Sequence, residues 1–72
     1  MSSAIELIVE GYARLGDRRS LEGLRMHRRR LAVDLSSIKG FDCQNSIAQI
    51  EMDIATIEAG LASLPENVQL TG

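Results

Sequence analysis

Toward the end of the chain, Ile47, Ile50, Ile54, Ile57, Leu61 and Leu64 follow one another at steps of three, four, three, four and three. Such steps return apolar side chains to one stripe of a helix, as a heptad seam does, and predict a helix over about 44–64. Asp42 or Ser46 can cap its start by accepting backbone N–H bonds, and Pro65 ends it because it has no amide hydrogen to donate. The middle of the chain repeats the spacing with Leu21, Leu24, Arg28, Leu31, Leu35 and Ile38, interrupted only by Arg28. This predicts a second helix over about 18–38. Between the two lies the short stretch Lys39 to Cys43, where Gly40 suits the left-handed residue that closes a helix. Equal seams joined by a short link predict an antiparallel hairpin, with Ile38 toward Ile47 and Leu21 toward Leu64.

The first segment opens with Ser3 and Glu6 at capping-box spacing and predicts a helix over about 4–15, with Ile5, Ile8, Tyr12 and Leu15 on one face. Its phase does not continue into the second seam, because Leu15 to Leu21 is a step of six. Gly16 offers a stop and Asp17 a new cap, so the expectation is a break there and not one helix over 4–38. Residues 65–72 carry no periodic pattern and are expected to form a flexible tail.

A chain of 72 residues makes one small domain, and its aliphatics must supply the core because it has one Tyr, one Phe and no Trp. Chains of this size gain little margin from burial alone and usually need disulfides, a metal or a partner subunit. Cys43 is the only cysteine, which excludes an internal disulfide and suits a reducing compartment. A homodimer forming a bundle of four or more helices is therefore expected. Two features suggest where contact occurs. The third helix carries Ala48, Met52, Ala55, Ala59 and Ala62 at 4-3-4-3 spacing, about 160° from its Ile/Leu seam, and the first helix is apolar on more than one side. Gly11, Gly23 and Gly60 fall inside predicted helices, where close packing, bending or a tolerated cost explains a glycine.

Charge is segregated. All eight Lys/Arg residues lie between Arg14 and Lys39, while the remainder is acidic and the whole carries a net −2. One reading sets Arg14, Arg18, Arg25 and Arg29 as a ridge for nucleic-acid phosphates, provided that the helix is continuous. Against it stand an acidic protein and the lack of interleaved aromatics. The other reading pairs the basic second helix with the acidic third, Arg25 with Glu58 above all, and sends Arg28 from the seam toward Glu58. Arg28 also suits a role in fixing register or oligomer state.

No nucleophile and base come together by spacing, since His27 is the single histidine and sits among arginines. Neither zinc-ligand spacing nor a Gly-rich phosphate loop occurs, so no catalytic residue, metal or cofactor is expected. The opening residues lack a basic stretch and no run reaches the ~20 apolar residues of a membrane span, which makes a cytoplasmic protein the expectation. The expected fold is all-α: a short N-terminal helix plus a long antiparallel hairpin. The expected function is non-enzymatic protein–protein interaction as an adaptor, accessory or inhibitory module, with nucleic-acid binding the alternative. Arg14, Arg18, Arg25, Arg28, Arg29, Ala48, Met52, Ala55, Ala59 and Ala62 are the candidate partner-binding residues.

Overall fold

The computed structural model describes residues 4–38 and 43–65. Three helices account for most of them: α1 (Ala4–Leu15), α2 (Arg18–Ser36) and α3 (Gln44–Ala62), with no strand among the described residues. The fold is all-α, and α2 with α3 is its largest packing pair.

The break between α1 and α2 falls where expected, and its hydrogen bonds explain it. Gly16 takes φ +67°, the left-handed conformation that glycine adopts without a Cβ penalty. Gly16 N–H then bonds Ala13 C=O and Asp17 N–H bonds Tyr12 C=O, the paired closure of a Schellman motif. Asp17 sits at φ −88°, ψ 74°, with Arg18 N–H donating to Gly16 C=O across it, an inverse γ-turn. The same residue caps α2: its carboxylate accepts from Ser20 N–H at 3.1 Å and from Ser20 Oγ–H at 2.7 Å. The Ser20 hydroxyl, then the Ser20 amide and nearby Arg19, hold the Asp17 carboxyl below its ordinary pKa.

α2 and α3 form the expected antiparallel hairpin. As α2 positions rise through Arg18, Arg25 and Arg28, their α3-side partners fall through Pro65, Glu58 and Asp53. On α3 all six seam residues are buried or half-buried, Ile57 completely. On α2 the seam is graded: Leu21 is fully buried, Leu24, Arg28 and Leu35 are half-buried, and Leu31 and Ile38 are exposed. α1 explains the gradient, because 12 residues span about 18 Å against about 28 Å for each hairpin helix. The core therefore gathers where α1 reaches, as Ile5, Val9, Leu21, Ile57 and Leu61 with Tyr12, Leu24 and Leu64 packed against them.

Several local expectations need correction. α2 ends at Ser36, not at residue 38, because Ser37 N–H turns back to Val33 and Asp34 carbonyls. α3 starts at Gln44 with Cys43 in the cap position and no side-chain cap bond, so Ser46 lies in its first turn instead of capping it. The other cap candidate, Asp42, lies outside the described residues, as do Gly40 and Ser3. α3 ends at Ala62, where Ser63 N–H bonds Ala59 and Gly60 carbonyls. The buried face of α1 is Ile5 and Val9 with half-buried Tyr12, and Ile8 and Leu15 point elsewhere. A choice between two phases decides this: Val9 seats directly over Gly60, which has no Cβ to keep α1 away. Close packing thus explains Gly60, whereas Gly11 and Gly23 each face open space.

Candidate functional site

The arginine ridge is largely engaged within the chain. Arg14 pairs with Glu10 on its own helix at 3.7 Å, and Arg18 Nη2 donates to Pro65 C=O at 3.4 Å. Arg25 and Arg29 converge on one Glu58 carboxylate oxygen at 3.8 and 3.0 Å, with Arg29 Nη2 donating the shorter bond. The break at Gly16 also removes the continuous helix that the ridge required. Arg25–Glu58 is the pairing expected from the seam positions, although Arg29 makes the closer contact.

Arg28 does not turn to Glu58. Its Nε lies 3.5 Å from Asp53 Oδ2, and both side chains are well covered, at 24% and 16% exposed. The physical reason is the antiparallel register, which brings Asp53 across from Arg28 on the seam while Glu58 is taken by Arg25 and Arg29. Gln49 Nε2 donates to the other Asp53 oxygen at 3.1 Å, so this carboxylate is held from two sides. Arg28 Nη1 lies 2.9 Å from His27 Nδ1. A guanidinium has only donors, so that ring nitrogen is the acceptor.

Ala48, Met52, Ala55, Ala59 and Ala62 all lie exposed along the back of α3, and α1 packs on the Gly60 side instead of on this stripe. Sequence reasoning missed one other outward face and left a second without its residues assigned. On α2, Arg19, Gly23, Met26, Arg30, Val33 and Ser37 repeat at 4-3-4-3-4 and are all exposed. Arg19 and Arg30 make no ion pair among the described residues. Beside this face an open depression is lined by Glu22, Arg25, Met26 and Arg29.

The second face is on α1, which the sequence marks as apolar on more than one side. Ala4, Ile8, Gly11 and Leu15 follow one another at 4-3-4, with Leu7 on the flank, and all are exposed. Leu7 is 59% exposed, Ile8 44% and Leu15 79%, so three large apolar side chains stand outward on a helix of 12 residues. Two interleaved seams, 5-9-12 and 4-8-11-15, were present in the sequence, and only the deep groove at Gly60 decides which one turns inward.

Among the described residues no three His, Cys, Asp or Glu side chains gather as a metal site, and no helix is long and apolar enough to cross a membrane. Compared with known proteins, the chain matches no family model, no curated protein and no solved structure.

Proposed function

We propose that this chain is a non-enzymatic protein–protein interaction module of the cytoplasm that works by helix packing, as an adaptor, accessory or inhibitory protein. The observation that carries the reading is the outward seam of α1. The exposed fractions of Leu7, Ile8 and Leu15 amount to about two whole side chains, or roughly 3–6 kcal/mol of transfer free energy on burial. Matched by a similar apolar area on a partner, that is enough to drive a modest association. The single cysteine suits the reducing compartment proposed.

The competing reading, nucleic-acid binding through α2, rests on Arg19 and Arg30. About two phosphate contacts give a slope near −2 in log K against log salt, a weak and non-specific grip. Capture from native lysate tests the leading reading, with wild type compared against Leu7→Gln/Leu15→Gln. Proteins retained by wild type and lost by the double variant support it. An identical set retained by both removes it, as does failure to retain any protein, a second copy of this chain included. A mobility shift with DNA or RNA that survives roughly 200 mM salt would favour the competing reading.

A further inference from the structure

We infer that the α1 outer seam is occupied by a second copy of this chain, paired antiparallel about a two-fold axis so that Ile8 packs on Gly11 of the copy and Leu15 on its Ala4. This deepens, and rests on, the reading of the chain as a helix-packing module. The seam alternates small and large side chains: Ala4, Ile8, Gly11, Leu15. Turned end for end, it offers a small residue opposite every large one, in both directions at once, as an isologous interface requires. Laid parallel and in register, it would stack Leu15 on Leu15 and leave a void between facing glycines.

The space needed is present. A Cβ built on Gly11 meets nothing within 4 Å, so the centre of the seam is open to a neighbouring side chain and lets two backbones approach closely. Charge selects the same orientation. α1 has Glu6 in its first turn and Arg14 in its last, followed by Arg18 and Arg19 at the start of α2. Antiparallel pairing opposes the two helix dipoles and places the basic ends of the two copies apart, whereas parallel pairing gathers Arg14, Arg18 and Arg19 of both copies at one end. The face is short, so the dimer expected is dynamic, with a dissociation constant on the order of 10–100 µM.

Sedimentation equilibrium of the full chain under reducing conditions, from about 5 µM to about 1 mM, is the primary test. A monomer–dimer equilibrium is expected, with no larger species because the interface closes on itself. Gly11→Gln fills open space in the protomer, so it folds as well as wild type but blocks Ile8 of the copy; its dissociation constant rises at least about tenfold. Orientation is read by mixing Ala4→Cys and Leu15→Cys, each in a Cys43→Ser background, in a thiol–disulfide buffer. The mixed 4–15 disulfide dominates both homodisulfides if the inference holds. A monomer throughout, a dimer indifferent to Gly11→Gln, or dominant homodisulfides each overturn it. A monomer that still loses a captured lysate protein on Leu7→Gln/Leu15→Gln overturns self-pairing alone and leaves the module reading standing.

Discussion

The placement of Val9 over Gly60 makes one substitution carry opposite signs at three helical glycines. In open helix, Gly→Ala stabilises by about 0.8–1 kcal/mol, because alanine loses less backbone entropy on folding. Gly11 and Gly23 have open space where the Cβ would go, so both should follow that rule. At Gly60 the new Cβ would overlap Val9 Cγ1 and touch Leu21 Cδ1 at 3.9 Å. Val9 has little room to evade it, since a β-branched side chain in a helix keeps one strongly preferred χ1 rotamer. Either Val9 leaves that rotamer or α1 moves outward from Ile57 and Leu61, and overpacking of this kind costs about 1–3 kcal/mol. Set against the propensity gain, Gly60→Ala should destabilise by about 1 kcal/mol, or roughly 4–8 °C in Tm for a domain of this size. Urea and thermal melts at a few micromolar protein keep self-association out of the comparison. In the pair Val9→Ala/Gly60→Ala the clash is gone and the propensity gain remains, so the double variant should lose about 2 kcal/mol less than the two single losses combined. If Gly60→Ala melts above wild type as Gly11→Ala and Gly23→Ala do, the packing of α1 on α3 derived above is wrong.

Other outcomes follow from the polar contacts. The Asp17 carboxyl should titrate below the ordinary aspartate value in a pH series followed by NMR, and Ser20→Ala should move it back up, since the Ser20 hydroxyl is the leading cause of the depression. A depressed carboxylate stabilises the fold above the unfolded-state pKa and loses that contribution as pH falls through the folded value, so acid unfolding of Ser20→Ala should show a smaller pH dependence near that end. Replacing Arg28 alone by Leu should cost about 1 kcal/mol, because it leaves the well-covered Asp53 with only the Gln49 amide. Replacing both Arg28 and Asp53 by Leu should be neutral or stabilising by about 1 kcal/mol, which chemical denaturation would read. A double-mutant cycle on Arg29 and Glu58, both substantially exposed, should return a coupling no larger than about 1 kcal/mol that shrinks with added salt.

The two long seams and the break between α1 and α2 were legible because each has a strong local cause: a repeated 3-4 step in one case, a glycine followed by a capping aspartate in the other. The Arg25–Glu58 pair was legible too, since seam positions fix which flanks meet in an antiparallel hairpin. What was not legible depended on a third body. Ile5, Ile8, Tyr12 and Leu15 form a plausible buried face on a helical wheel, and so do Ile5, Val9 and Tyr12. Only the absence of a side chain at Gly60, some fifty residues away, selects the second. The partner of Arg28 was missed for a related reason. Asp53 sits on the same flank as Gly60, across the seam from the Glu58 flank that the seam positions match to Arg25. The ridge of Arg14, Arg18, Arg25 and Arg29 was built on wheel angles that the turn at Gly16 and Asp17 makes void.

Arg28 and Asp53 bear on why this hairpin has one alignment. Apolar seams with a seven-residue period set leucine against isoleucine again after a slip of one heptad, so apart from the overlap lost at one end they do little to specify register. In the observed alignment the one cation on the α2 seam faces an acid of α3 at 3.5 Å. A slip of seven residues one way sets Arg28 toward Gly60 and Asp53 toward Leu35, and the other way sets Arg28 toward Ser46 and Asp53 toward Leu21. Each slipped form strands two partly desolvated charges against uncharged groups, at a cost of several kcal/mol, and also separates Arg25 and Arg29 from Glu58. Making Arg28 and Asp53 both Leu removes that penalty from every alignment at once. The double variant should therefore keep or gain melting temperature while losing uniqueness, visible as extra or broadened amide peaks for residues of α2 and α3 in a heteronuclear NMR spectrum. A single sharp set of peaks from the double variant would assign the register to the loop and to α1 instead.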